Sequence, residues 1–339
     1  MGDAAGIGPE IITKAFREHP FDLRACFVVG DVAHMRRANQ LVTPKGREPL
    51  LIAQIDRPSD ALLAPPGCIP VYQVAPSPGL IPWGQVSAAA GAFAGDCVAW
   101  AAQTALRGDI CGVVTAPLNK EALNAAGAPY DQFPGHTELL QAEAALHCEK
   151  SIADIPVRMM LANLELRTVL VSIHMSLRNA LDAVTFENIT QTLQITHAGL
   201  YRLLGRAPRI AVAALNPHAG EGGLFGTEEI SIIGPAVAWA REQGWDVQGP
   251  FAPDTIFMRA RQKPGHTAEF DVVVAMYHDQ GLIPVKYLGV EEGVNMTLGL
   301  PFVRTSPDHG TAFDIAGTGR ADPRSLLQAI RMARTWPGL

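Results

Sequence analysis

Three histidines in this chain share one local context. The run Arg167-Thr168-Val169-Leu170-Val171-Ser172-Ile173 leads to His174, Arg209 to Pro217 leads to His218, and Phe270 to Tyr277 leads to His278. Each run is short, rich in Val, Ile and Ala, and bounded by turn residues, as expected of a strand covered on both faces. In open α/β sheets, ligands bind just beyond the carboxyl ends of such strands, so three imidazoles in this position point to one cleft. Neutral imidazole is a good ligand for Zn²⁺ or Co²⁺, and three protein ligands leave a position for water or substrate, the pattern of a catalytic metal site. Three unrelated strand-end histidines are the bland alternative; their common context favours the shared site.

The elements needed to position them follow from the hydrophobic pattern. Strands are expected at Cys26–Val29, Ile69–Val74, Gly112–Thr115, Met159–Leu161, Val169–Ile173, Ile210–Ala214 and Val272–Met276. Helical spacing covers Gly91–Arg107, Thr137–Leu146, Phe186–Leu204, Thr227–Gln243 and Pro323–Arg334. Strands alternating with helices give an α/β fold with mostly parallel sheets and flanking helices. The proline-rich stretch Pro58–Pro82 reads as an extended loop region, and Asn124–Gly135 as a linker with turn residues.

Composition excludes several functions. With 339 residues, 48% of them hydrophobic, the chain is long enough for two domains and a large core. A net charge of -6 and a pI near 5.9, with no long basic stripe, argue against nucleic-acid binding, so an anionic substrate needs a local basic cluster. The five cysteines form no C-x-x-C pair, which fits a reduced cytoplasmic protein and argues against cysteine-bound metal. No apolar run approaches the roughly 20 residues that span a bilayer, and no basic segment precedes an apolar core at the start, so neither export nor membrane insertion is expected.

Each end of the chain carries a glycine-rich motif. Gly2-Asp3-Ala4-Ala5-Gly6-Ile7-Gly8-Pro9-Glu10 reads as a turn opening a helix, with Pro9 in the first turn and Glu10 favourable to the helix dipole. It lacks the G-x-G-x-x-G spacing of a dinucleotide fingerprint. His309 to Pro323 reads on its own as a glycine-rich loop before the last helix.

Together these ends resemble the isocitrate and isopropylmalate dehydrogenase superfamily. The blocks Thr115-Ala116-Pro117-Leu118-Asn119-Lys120, Phe133 to Glu138, Leu215 to Glu221, Ala275 to Gly281 and Gly299 to Ser306 resemble, as a set, the signature of the PdxA family, the 4-hydroxythreonine-4-phosphate dehydrogenases of vitamin B6 biosynthesis. They run through nearly the whole chain. The resemblance implies a two-domain isocitrate/isopropylmalate dehydrogenase-like fold with an active-site cleft between domains. The cofactor-side domain would be residues 1–130 plus 296–339, and residues 131–295 would carry metal, substrate and dimer contacts.

The resemblance also implies an activity: NAD-dependent, metal-dependent oxidation of 4-phosphooxy-threonine, followed by loss of CO₂, in a homodimer with shared active sites. His174, His218 and His278 fall on the family's metal positions, for Zn²⁺, Co²⁺ or Mg²⁺. His136, Thr137, Lys286, Asn295 and Arg304 match substrate positions, although without the resemblance each reads as a surface residue and Thr137 as an N-cap. His136 and Thr137 also stand where a glycine turn opens a helix, a natural anion site. His309, Gly310, Thr311, Ala312 and Asp314 match the cofactor loop. Asp314 favours NAD, because a carboxylate accepts ribose hydroxyls and repels a 2′-phosphate. Asp254 and Lys286 are candidates for the group that takes the alcohol proton.

Other readings remain open. Asn119 to Leu123 and Gly135 to Leu140 look closer to a paralogous branch acting on D-threonate or D-erythronate 4-phosphate. A further branch oxidises dihydrodiols such as that of terephthalate, and His136, Thr137, Asn295 and Arg304 disfavour it. A three-histidine site also suits a metallohydrolase, which would turn over without nucleotide, or a non-catalytic metal-binding scaffold. The family's strand before the Gly-Asp turn is missing, and Ala4 stands where the family has Pro. The numbered chain is therefore expected to begin late, with the first sheet left open.

Overall fold

The computed structural model describes residues 1–265 and 267–335. Two compact units account for them: Met1–Pro156 with Leu300–Arg334, and Val157–Gly299. His136 and Thr137 lie in the same unit as Arg304.

The first unit begins with α1 (Gly8–Glu18), entered through the N-terminal glycine turn with Pro9 in its first turn. β1 (Val28–Val29), α2 (Val32–Val42), β2 (Leu51–Ile55) and β3 (Cys68–Tyr72) follow. The strands form a parallel sheet in the order β1-β3-β2. α2 starts where the Asp31 carboxylate accepts the His34 N–H. α3 (Ala88–Leu106), capped by Ser87, then packs against α4 (Lys120–Ala125) and α5 (His136–His147), with β4 (Gly112–Val114) between α3 and α4 in sequence. Gly91 is required there, because a Cβ would meet the Ala122 carbonyl at 1.9 Å. Ile7, Ile11, Phe16, Ile69, Val71 and Leu326 belong to this unit's core.

The second unit opens with β5 (Arg158–Ala162) and β6 (Arg167–Leu170), then α6 (Leu177–Asp182) and α7 (Phe186–Leu204). Thr185 caps α7 at its start and Gly205, at φ +66, ends it. β7 (Ile210–Ala213), α8 (Gly234–Glu242), β8 (Val247–Phe251), α9 (Ile256–Ala260), β9 (Val272–Ala275), α10 (His278–Tyr287) and β10 (Val294–Leu298) complete it. The strand order is β10-β5-β6-β9-β7-β8. β6, β9, β7 and β8 run parallel, whereas β5 is antiparallel to both its neighbours. β7 and β9 are buried along their whole length, as continuous apolar runs should be. The chain then returns to the first unit through β11 (Val303–Pro307), parallel to β4, and α11 (Arg324–Thr335).

Several expectations need correction. The stretch Pro58–Pro82 is not one loop: besides the strand expected at Ile69–Val74, which is the central β3 with Ile69 and Val71 fully buried, it holds a 3₁₀ turn at Pro58–Leu63. β2, β8, β10 and β11 were not expected. The helix expected at Thr227–Gln243 is π-helical over Glu229–Ile233 and α-helical afterwards. Pro235 offers no N–H and crowds the preceding turn, and the wider turn, in which the Gly234 N–H reaches the Glu229 carbonyl, relieves this. β6 also ends at Leu170, so Val171-Ser172-Ile173 forms an extension between strand and His174.

Candidate active site

In the second unit the three histidines follow the adjacent strands β6, β9 and β7. Polar side chains beneath them tie these strand ends together. Ser172 Oγ donates to the Met276 carbonyl at 3.0 Å, joining the segment before His174 to the one before His278. Gln280 bridges further: its Oε1 accepts the Met276 N–H at 2.7 Å and its Nε2 donates to the Ala214 carbonyl at 2.7 Å. Glu229 holds the approach to His218 by accepting the Leu215 and Asn216 N–H groups at 2.8 and 2.7 Å. Burial raises the Glu229 pKa, but the Asn216 side chain and these amides outweigh it and leave the group lowered, a carboxylate at neutral pH. Sequence reasoning missed Gln280 and Glu229; the Gln two residues after His278, inside a helix that opens at a strand end, was the available signal.

The histidines do not stand equally. His174 and His278 face each other with ring centroids 5.8 Å apart, and with Ile173, Leu177, Ala180 and Tyr277 they line a cavity of about 460 Å³. His278 Nδ1 lies 2.7 Å from Asp279 Oδ1, which leaves Nε2 as the ring nitrogen outside this pair. His218 instead lies in a run from His218 to Gly222 with positive φ throughout, its ring 6.2 Å from that of Phe225. Among the described residues, no group of three His, Cys, Asp or Glu side chains is arranged to hold a metal ion. His174 and His278 thus line one cavity. Among the described residues, His218 does not line that cavity.

The remaining candidates in this unit are more dispersed. Asp254 is exposed in the turn between β8 and α9. Lys286 occupies the last turn of α10, two turns beyond His278 on the same helix, and is exposed. Asn295 sits in β10 opposite Leu161 of β5.

In the first unit a cationic site gathers at β11 and the start of α5. Arg304 is 4% exposed, and its Nη2 donates to Thr115 Oγ1 at 2.8 Å. Burial lowers its pKa to about 10, with Glu138 opposing the shift, so the guanidinium stays charged at neutral pH. His136 is driven down to about 3, chiefly by burial and then by the charges of Arg304, the N-terminal ammonium and Lys120. It is a neutral imidazole, and its buried Nε2 has no hydrogen-bond partner among the described residues. α5 has Gly135 at its N-cap with no side-chain cap, so Thr137 is the second helical residue and not the cap. Uncapped N–H groups, a neutral imidazole and a buried guanidinium suit an anion bearing several oxygens.

The C-terminal glycine loop lies beyond β11. His309 Nδ1 is 3.1 Å from the Gly310 carbonyl, and its Nε2 is buried with no partner among the described residues. The Thr311 carbonyl accepts the Ile7 N–H at 3.1 Å, Ala312 adopts φ +43, and Gly310 and Asp314 are exposed. Glu10, expected to serve the helix dipole, is instead fully buried and turned onto this loop.

The chain matches the family model described as pyridoxal phosphate biosynthetic protein PdxA over residues 22–333. It belongs to the PdxA family. A 4-hydroxythreonine-4-phosphate dehydrogenase of Beijerinckia indica is 50% identical, over 98% of this chain and 92% of that protein. A D-threonate 4-phosphate dehydrogenase of Salmonella typhimurium is 45% identical, over 98% of this chain and 96% of its own length. Among solved structures, a 4-hydroxythreonine-4-phosphate dehydrogenase from Klebsiella pneumoniae superposes with a TM-score of 0.84 at 42% identity, covering 99% of this chain and 97% of that one. The PdxA fold is thus shared from end to end, and the family resemblance of the sequence motifs holds. Among the described residues no helix is long and apolar enough to cross a membrane.

Proposed function

We propose that this PdxA-family chain is an NAD- and metal-dependent dehydrogenase. It oxidises the C3 hydroxyl of 4-phosphooxy-threonine to give 2-amino-3-oxo-4-phosphooxybutanoate, which loses CO₂ to form 3-amino-2-oxopropyl phosphate. The observation that carries this reading is end-to-end likeness to a 4-hydroxythreonine-4-phosphate dehydrogenase at 50% identity. The cationic site at Arg304 and His136, which a phosphorylated substrate requires, supports it.

His174, His218 and His278 would hold the divalent ion, Zn²⁺, Co²⁺ or Mg²⁺, with imidazole donors favouring the first two. Bound there, such an ion supplies Lewis acidity at the substrate's C3 oxygen. That His174 and His278 line one cavity while His218 stands in a separate loop supports a ligand set completed in a homodimer with shared sites. Exposed Met175, Leu177, Leu181, Phe186, Leu224 and Phe225 around these histidine loops supply apolar surface for that contact.

Arg304 donates paired N–H groups to the substrate's anionic end, while neutral His136, Thr137 and the free amides of α5 take further oxygens. Lys286 and Asn295 supply the remaining polar contacts. Lys286 or Asp254 would take the proton of the C3 hydroxyl, and bound NAD would supply the hydride acceptor. His309, Gly310, Thr311, Ala312 and Asp314 hold the dinucleotide, and the Asp314 carboxylate selects NAD over NADP.

A second reading, D-threonate 4-phosphate as substrate, is favoured by the 45% identity to dehydrogenases of that name and by the Asn119–Leu123 and Gly135–Leu140 segments. NADH formation with Zn²⁺, Co²⁺ or Mg²⁺, offering 4-phosphooxy-threonine, D-threonate 4-phosphate and terephthalate dihydrodiol in parallel, separates these. Metal-dependent turnover of 4-phosphooxy-threonine is expected. Preference for the threonate selects the second reading, and activity on the dihydrodiol alone, or turnover without nucleotide, overturns both.

A further inference from the structure

α1 presents two opposite charges, one helical turn apart, to the far end of the C-terminal glycine loop. Glu10 Oε1 accepts the Gly317 N–H at 2.5 Å and Oε2 accepts the Gly319 N–H at 3.0 Å. Lys14 Nζ donates to the carbonyls of Gly319 and Ala321 at 2.7 and 2.6 Å. The peptide groups around Gly319 are therefore held from both polarities by one rigid helix. The loop's near end is tied to the same element, through the Ile7 N–H and the Thr311 carbonyl.

The loop cannot shift away on its other side. Gly317 adopts φ +78, and a Cβ there would lie 2.3 Å from the Trp83 ring; the Arg37 guanidinium, 4.1 Å from the centroid of that ring, holds it in place. Gly84 adopts φ +70 with its Cα against the Phe313 carbonyl, and its N–H donates to the Ala5 carbonyl at 2.8 Å. By contrast Gly310 has no atom within 4 Å of where a Cβ would stand, and the side chain of Asp314 is exposed. One side of the loop is fixed and the other is open.

Packing alone does not require a carboxylate at position 10. Glu10 is fully buried among core neighbours such as Ile7 and Ile11, where an apolar side chain of similar size would avoid the desolvation cost of a charge. What an apolar residue cannot do is accept the two backbone N–H groups of Gly317 and Gly319, at the end of the loop where these two residues have no side chains of their own to fix the chain. The helix that the N-terminal glycine turn opens thus serves as a mount for the C-terminal loop.

We propose that Glu10, with Lys14, is a positioning residue that sets the affinity of the 309–319 loop for the dinucleotide. The proposal rests on reading that loop as the NAD site. Its test uses the full-length, metal-loaded protein, with NAD and ADP-ribose binding measured by calorimetry and initial rates measured against both NAD and the phosphorylated substrate. Glu10→Gln leaves one acceptor and turns an amide N–H toward a glycine N–H. It is expected to raise Kd and KM for NAD on the order of tenfold, with ADP-ribose affected in parallel and kcat and the substrate KM within about twofold of wild type. Glu10→Ala should exceed that loss, and Lys14→Met, which leaves the buried core intact, should reproduce it in weaker form and decides the matter if Glu10→Ala does not fold. NAD affinity unchanged in Glu10→Gln and Lys14→Met would reduce the contact to a structural staple and overturn the proposal. So would an equal fall in kcat and in affinity for the phosphorylated substrate. A wild-type protein that binds neither NAD nor ADP-ribose would instead remove the reading of the loop on which the proposal stands.

Discussion

At the scale of single residues, Arg304 and His136 act as a pair because burial treats them differently. The guanidinium keeps its charge in a buried site, whereas the imidazole next to it loses the ability to hold a proton. Arg304→Lys keeps a cation but loses the planar fork that meets two oxygens at once. It is expected to raise KM for the phosphorylated substrate by about 10- to 100-fold while leaving KM for NAD near wild type, as initial rates against each substrate would record. His136 makes a separate prediction about stability. Its pKa is near 6.5 unfolded and about 3 folded, so between those values the unfolded chain binds the extra proton and stability falls as pH falls. His136→Gln should flatten that acid loss, read as a smaller drop in melting temperature from pH 7 to pH 4; an unchanged slope would show that other groups dominate.

At the scale of elements, β9 is anchored at its start by a single carboxylate. Asp271 accepts two bonds from Arg206 at 2.8 Å each, and the Arg209 N–H at 2.8 Å and Nη2 at 3.0 Å, so it joins the feet of β7 and β9. Burial alone would raise its pKa, but the two arginines win and hold it well below the usual carboxylate range. A depressed carboxylate stabilises above its unfolded pKa and loses that contribution as pH falls through the folded value. Asp271→Asn should therefore cost about 2–4 kcal/mol at pH 7, measured by denaturant unfolding, with the gap to wild type narrowing below about pH 4. β7 and β9 were readable in the sequence because Ile210–Ala213 and Val272–Ala275 are unbroken apolar runs. β8 was not, since Gly249 and Pro250 interrupt it and only an edge position tolerates them. β11 was hidden by Arg304, Thr305 and Ser306, polar residues that are nevertheless buried and bonded inward. The strand-end histidines were legible, but the left-handed run from His218 to Gly222 was not, because Ala219 and Glu221 carry no sequence signal for positive φ. Glu10 was legible only in part for the same kind of reason: it stands in the first turn of α1, where an acid favours the dipole, but only the distant Gly317 and Gly319 reveal its partners.

At the scale of the whole molecule, metal binding and association should be one equilibrium. On the proposed reading His174 and His278 would offer two ligands from one chain, and two imidazoles alone would leave a divalent ion weakly held. A second copy that supplies the third ligand would convert apolar contact into metal affinity, so each event strengthens the other by mass action. Leu177 is 59% exposed beside His174, in the cavity wall, and makes no contribution to either unit's core. Leu177→Arg should then shift the protein from dimer to monomer in sedimentation experiments, weaken Zn²⁺ binding by at least about tenfold, and abolish the metal-dependent rise in melting temperature, with the metal-free melting temperature of the dilute protein near wild type. Wild-type protein diluted through its dissociation range should lose bound metal in step with dimer. A monomer that retains wild-type Zn²⁺ affinity would mean that one chain closes His218 onto the other two histidines by itself, and the shared site would have to be abandoned.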